Sequence, residues 1–344
     1  MCEGANCVQN AAQLAPNIAQ TYAAERQGLL AAVQNSGATN SIDAALKRVL
    51  ILQETVRDFA IRVLPLRLFS TVFSAVPLEG AATVEVPYYP LQAAASSDFT
   101  DGDGTAGSGY QFGQSTSTYK KEIVVNKRKY QPLDYSSNEF RRQPWFNALR
   151  LGRMNMERLG IDILTDILSV ITVANFGAPI KSLGNAANYT SDDVVDLRGT
   201  ANGLYWPDVG RGLLVDSSID TALQKDGAYK LALNIGTPSV IQEGRFPNLS
   251  GFDYAWMPNF PTNGQGTLGV MAFASAILSA FAPIDPAPGV RSQLVAYNVA
   301  VDPATGISLN YRHWGLAQAD RDYEVIECAY GYAAGVPNAL RRLA

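Results

Sequence analysis

Between Gln143 and Phe176, apolar residues return at Trp145, Leu149, Met156, Leu159, Ile163, Ile167 and Val170. The intervals are threes, fours or their sum, which puts these residues on one face of a helix. The opposite face carries Arg150, Arg153, Glu157, Arg158, Asp162 and Asp166. Arg153/Glu157 and Arg158/Asp162 are spaced to pair at i,i+4, worth a few tenths of a kcal/mol each. Pro144 suits a first helical turn, where its missing N–H has no intrahelical partner, and Gly177 and Pro179 supply a stop. The pattern predicts a helix over 143–176, a rod of about 45 Å at about 1.5 Å per residue. Gly160, which costs about 1 kcal/mol in a helix interior, marks an expected close approach of backbone.

Away from this helix the periodicity changes. Residues 1–40 are rich in Ala, Gln and Asn and can bury little alone. Ile42 to Leu64 is compatible with helix, ending before Pro65. Prolines and β-branched residues from Leu64 to Pro90 point to extended segments and turns, and 82–89 (ATVEVPYY) alternates as a strand does, with Pro87 favouring an edge. Residues 96–118 are rich in Gly, Ser, Thr and Asp and read as a mobile tip, followed by a second strand-like stretch at 119–136. Two strands around a long tip describe a projecting β-arm, which needs a partner because it cannot bury both its faces itself.

Residues 177–207 read as irregular. Residues 211–227 (RGLLVDSSIDTALQKDG) predict a buried strand and then a short helix capped by Ser217 or Ser218 and closed at Gly227. Short strands and turns follow at 240–262. From Thr267, the apolar run TLGVMAFASAILSAFAP predicts a strand running into an apolar helix. Strands are expected at 293–301, 307–315 and 323–335.

Composition adds a distribution of charge. The chain has 344 residues, 47% hydrophobic and 17% charged, with a net charge of −4. That length allows two or three domains and a sizeable core. The low charge fraction suggests surface buried against other molecules. No whole-chain basic field draws it to nucleic acid, yet Lys120 to Arg158 holds ten basic and four acidic residues, a local excess of +6, leaving −10 elsewhere. The basic residues are Lys120, Lys121, Lys127, Arg128, Lys129, Arg141, Arg142, Arg150, Arg153 and Arg158. They are candidates for pairing with acidic surfaces of neighbouring subunits or for contact with phosphates. No regular aromatic platform supports sequence-specific reading of nucleic acid.

Cysteines stand at 2, 7 and 328, an odd number in no zinc spacing, so reduced thiols are expected. No signal peptide is read at the N-terminus, and the longest apolar run, Val270 to Pro283, is too short to span a bilayer as a helix.

Catalytic patterns fail on their context. His313 is the single histidine, so neither a multi-histidine metal site nor a Ser-His-Asp triad has other material to use, and it reads as a packing or surface residue. Gly102–Gly107 matches GxGxxG in letters but lacks the strand before it and the helix after it. Asp101, Asp103 and Thr105 begin like a calcium loop, but position six is Ala106 and position twelve is Phe112. Ser117–Lys120 is an SxxK without its companion motifs, and no Walker A or GxSxG sequence occurs. No catalytic residue, cofactor or metal is expected.

The order and spacing of five segments over about 55–340 resembles the major capsid (coat) proteins of tailed bacteriophages, with the Hong Kong 97-type fold. The first is 64–71 (LPLRLFST) with 76–80 (VPLEG) and 83–87 (TVEVP). The others are the Gly/Ser-rich arm at 88–130, the helix at 143–176, the set 213–216 (LLVD), 243–245 (EGR), 249–254 (LSGFDY) and 269–274 (GVMAFA), and the late strands. The resemblance implies an α+β chain with an N-terminal arm at 1–75, an extended β-hairpin E-loop at 76–135 and a peripheral domain with a long spine helix at 136–185. An axial α/β domain at 186–305 and return strands of the peripheral domain at 306–344 complete it. It implies a non-enzymatic shell protein forming pentamers and hexamers of an icosahedral capsid around double-stranded DNA. The partners implied are other copies of the chain, packaged DNA touched non-specifically, a portal, and scaffolding or decoration proteins, with no membrane. The virion, assembled in the host bacterial cytoplasm, is the implied location. The N-terminal region is short for the cleaved scaffolding segment of some members, so a separate scaffolding protein, or none, is expected. No motif selects a lysine for the Lys–Asn cross-link of others. Alternatives are an encapsulin-like compartment, a phage tail component, or a soluble enzyme using Asp98, Asp101 and Asp103. A Gly-rich loop is poorly suited to hold such carboxylates rigidly.

Overall fold

The structure is a computed structural model that describes residues 59, 62–74, 83–88, 119–136, 145–182, 184–227, 248–302 and 306–344, with backbone alone at 73–74, 87–88, 119, 145–153 and 248. All of these belong to one of the chain's two compact units, Leu52–Ala344. The arm tip at 96–118, Arg141, Arg142, Glu243–Arg245 and the N-terminal 58 residues lie outside them.

Two sheets share this unit. Strands β1 (Ser70–Ser74), β2 (Thr83–Tyr88), β3 (Tyr119–Val124) and β4 (Lys127–Ser136) come first. Helix α1 (Trp145–Leu168), the single turn α2 (Val173–Phe176) and α3 (Ser191–Gly203) follow, then β5 (Arg211–Asp216) and α4 (Ser217–Lys225). The chain continues through β6 (Asn248–Leu249), β7 (Phe252–Met257), β8 (Gly269–Phe273) and β9 (Ile277–Ala282). It ends with β10 (Ala296–Val301), β11 (Ser308–Leu316), β12 (Arg321–Ala334) and β13 (Leu340–Leu343). One sheet has the order β1-β9-β12-β11-β10 with β4 also on β12; the other has the order β13-β8-β5-β7-β6; β2 and β3 form a hairpin of their own.

The amphipathic stripe packs as its period requires. Met156, Leu159, Ile163 and Ile167 are buried in one core with Ile277, Phe281, Leu309, Tyr311, Ile326 and Tyr330 of the six-stranded sheet. Each such side chain is worth about 1.5–3 kcal/mol of burial. Gly160 is the expected close approach: a Cβ there would stand 3.1 Å from Arg62 Cβ and 3.3 Å from a Val63 methyl. The Arg158/Asp162 pair forms at 3.0 Å, whereas Glu157 is taken by Arg62 at 2.9 Å.

The helix is shorter than its sequence pattern, ending at Leu168 and leaving a rod of about 36 Å. All four residues of the run Val170–Val173 are β-branched, which disfavours helix. Asn263 Nδ2 donates to the carbonyls of Leu168 (3.0 Å) and Ile171 (2.8 Å), and Asn175 Nδ2 to that of Val170 (2.7 Å), satisfying groups the helix end leaves open. The apolar run from Thr267 also differs from expectation. It is two strands, β8 and β9, joined by a tight turn in which Ala276 N bonds Phe273 O at 2.9 Å. All six residues of β9 are buried. Ile277 and Phe281 face the α1 core, while Leu278 and Ala280 meet Val86 and Ile123 of the hairpin base on the other face. A strand covered on both faces shows no alternation and cannot be told from buried helix by pattern.

The hairpin base is seated closely. Gly331 of β12 would carry a Cβ 2.2 Å from Val124 O, so only glycine lets β3 pass there. The five-stranded sheet is likewise covered twice: Leu213 and Val215 face α3 and α4, and Leu214 faces the α1 core. Within 177–207, read as irregular, α3 buries Val194, Leu197 and Ala201. Asp216, and neither serine, caps α4, accepting from Ser218 N at 2.9 Å and also from Phe260 N at 2.8 Å. Burial pushes the Asp216 carboxyl up, but these bonds outweigh it and leave its pKa below the ordinary value.

Candidate functional site

The basic stretch divides by strand parity. The run 119–136, expected as one strand, is two: β3 pairs with β2, and β4 pairs with β12 in a register that sets Lys127 opposite Tyr330 and Tyr130 opposite Glu327. Successive β4 side chains point to opposite faces. Lys127 and Lys129 therefore turn toward α1, and Arg128 turns away from it.

Lys127 Nζ lies 3.0 Å from both carboxylate oxygens of Asp166, 2.5 Å from Tyr332 OH and 4.4 Å from the centre of the Tyr332 ring. Tyr330 OH donates to Asp166 at 2.7 Å and Tyr332 OH at 3.2 Å. Burial alone pushes the Asp166 carboxyl up, but the hydrogen bonds from Tyr330 and Lys127 outweigh it and hold its pKa below the ordinary value. Burial likewise opposes the Lys127 charge, and the bonds to Tyr332 and Asp166 leave its pKa raised. Burial and then Asp166 push the Tyr330 phenol up. Lys129 Nζ donates to Asp162 O at 2.7 Å, a second clamp of β4 on α1.

On the other face, Glu327 is 1% exposed between two guanidiniums. Arg128 donates Nε to its Oε2 at 2.8 Å and pairs through Nη2 as well, while Arg312 Nε lies 2.7 Å from Oε1, an ion pair at an angle too poor for a hydrogen bond. A groove of about 540 Å³ opens beside them, lined also by Tyr130, Leu294 and Trp314. A carboxylate neutralised by two guanidiniums is a clamp, with neither a base nor a nucleophile left free.

Lys120 reaches Glu85 across the hairpin at 3.3 Å with both groups exposed, and Lys121 is exposed beside it. Screening leaves such a pair worth little. Arg158 is exposed on α1, and Arg150 and Arg153 lie in the helix's N-terminal half, where the backbone alone is described. The structure thus brings Lys127, Arg128 and Lys129 together as internal clamps and leaves Lys120, Lys121 and Arg158 at the surface. The sequence shows Asp166 only as one charge on the helix's polar face and does not single out Glu327, because the partners of both come from a strand pairing that no linear spacing reveals.

His313 is buried on β11, its Nε2 3.6 Å from Asp322. Cys328 is buried on β12, and burial pushes its thiol up. Among the described residues no group of three His, Cys, Asp or Glu could hold a metal ion, and no helix is long and apolar enough to cross a membrane.

A long helix across one sheet, a hairpin seated on that sheet's back and a second sheet flanked by two short helices define an α+β architecture found in phage capsids. The chain is similar to a chain of the capsid of the cyanophage P-SCSP1u, with a TM-score of 0.53 and 12% identity over 80% of this chain and 85% of that one. It is similar to a chain of the capsid of Ralstonia phage GP4, with a TM-score of 0.51 and 8% identity over 80% and 86%. At such identities the likeness is one of fold, and the chain has the fold of phage capsid proteins. Its sequence matches no protein-family model and no curated protein.

Proposed function

We propose that this chain is the major subunit of an icosahedral capsid enclosing double-stranded DNA, with a Hong Kong 97-type organisation. The observation that carries the reading is the likeness to phage capsid chains over four-fifths of this chain. In this reading α1 is the spine, and α1 with the six-stranded sheet is the peripheral domain. The five-stranded sheet with α3 and α4 is the axial domain, and β2–β3 is the base of the E-loop. The clamps at Asp166 and Glu327 fit a mechanical role: they tie α1, β4, β12 and β11 into one body, so that force on the arm reaches the spine. Copies meet as pentamers and hexamers, and many weak junctions closing one shell make loss of a subunit improbable through multivalency. DNA meets the inner surface through sequence-independent contact with phosphates, as does any basic surface held near it. A portal and scaffolding or decoration proteins complete the particle, which forms in the host bacterial cytoplasm. The role asks for no catalytic group.

Electron microscopy of the purified chain, alone and with scaffolding protein, tests the reading. Closed shells are expected. Monomers under every condition, or only rings and tubes, would contradict it.

A further inference from the structure

The unit built on the five-stranded sheet displays an apolar tip that the subunit itself does not explain. In the loop 204–210, between α3 and β5, Tyr205 is 78% exposed at φ 56° and Val209 is 85% exposed. A bulky residue in the left-handed region persists only where its surroundings over-determine it. Here they do. Arg211, 3% exposed, donates to Pro207 O (2.6 Å), Asn202 Oδ1 (2.8 Å) and Trp206 O (2.6 Å) and pairs with Asp208 at 3.0 Å. Trp206 is buried and donates Nε1 to Asn338 O at 3.0 Å. A buried guanidinium thus locks a surface loop so that an aromatic and an aliphatic side chain point at water. Rigid display of such anchors is what protein interfaces use, because little freedom is lost on contact.

Next to the tip lies a face of α3 with little on it. Val195 is 57% exposed, and Gly199 and Gly203 follow at i+4 and i+8 with nothing within 4 Å of where their Cβ atoms would stand. The described packing gives no reason for glycine at either helical position. Charges match across the two features. Asp208 is exposed beside Val209 on the tip, and Arg198 is exposed beside Gly199 with no ion pair among the described residues.

We propose that the tip of one copy, Tyr205 and Val209, seats on the Val195–Gly203 face of α3 in a neighbouring copy, with Asp208 facing Arg198. The occupant is a second copy because each chain carries both complementary halves, with opposite charge on each. The contact is heterologous, so its repetition closes a ring where the rotation between copies divides a full turn, as a shell's five- and six-fold positions require, and gives an open filament otherwise. This rests on the shell-subunit reading for what gathers the copies.

The test places Val209→Cys and Gly199→Cys in one chain with Cys2→Ser and Cys7→Ser, leaving only the buried Cys328. After oxidation, a non-reducing gel is expected to show a ladder of linked copies beyond dimer, and none with either cysteine alone. No ladder in any preparation, particulate or soluble, overturns the contact. A ladder without closed particles supports the contact and counts against the shell. As a second readout, Tyr205→Asp with Val209→Asp should leave the urea midpoint unchanged and lower the assembled fraction at least about tenfold. Assembly at the wild-type level would overturn the proposal.

Discussion

Asp166 is a half-buried carboxylate on α1 that joins the helix to two strands through Lys127, Tyr330 and Tyr332. Its folded pKa is depressed. The stability it contributes is therefore complete above the unfolded carboxyl pKa of about 3.9 and is lost as pH falls through the lower folded value. Asp166→Asn should cost about 2 kcal/mol at neutral pH. The gap in urea midpoint between wild type and variant should narrow below pH ~4 and close once the wild-type carboxyl is protonated. A gap independent of pH would refute the ionic role. Gly331 makes a steric claim at the same scale. Gly331→Ala drives a Cβ against Val124 O, 2.2 Å away, and should cost about 1–3 kcal/mol, with faster hydrogen exchange at the hairpin base. The residues of the basic stretch were legible as a cluster but not in their roles. Lys127 and Lys129 look like surface charge until β4 is paired with β12, because alternate residues of one strand serve opposite faces.

At the scale of elements, α1 was legible from its helical period, and the late strands β10, β11 and β12 from their runs of β-branched and aromatic residues. Three features were not. The stop at Leu168 depends on Asn263, 95 residues away, whose amide takes two carbonyls at the helix end. β9 is apolar on both faces, so its sequence has no strand signature. The apolar residues that α3 buries are Val194, Leu197 and Ala201, set among glycines and acids, too sparse a stripe to stand out. The faces of α1 make the sharpest element-level prediction. Ile163→Asp, placing a charge at a fully buried position, should cost more than about 4 kcal/mol and leave the protein unfolded by circular dichroism. Arg158→Glu, on the exposed face, should leave the melting temperature within a few degrees, about 0.5 kcal/mol at most. Equal loss in both would mean that the faces are assigned wrongly.

For the whole molecule, the long helix runs against the six-stranded sheet and shares one core with Leu214 and Val270 of the five-stranded one, so a single rod ties the two sheets together. The shell reading gives separate roles to the body and the arm. Deleting 98–113, beyond the hairpin base, should leave a cooperatively folded subunit with an unchanged melting temperature but few or no closed particles. Normal particles from that deletion would remove the arm from assembly. The most direct test is a cryo-electron microscopy reconstruction of native particles that contain this chain. An icosahedral wall made of this subunit is expected, with α1 lying in the wall and the five-stranded unit gathered around the five- and six-fold positions. A wall built from a different chain, or this chain found only in rings, tubes or soluble monomers, would contradict the shell reading.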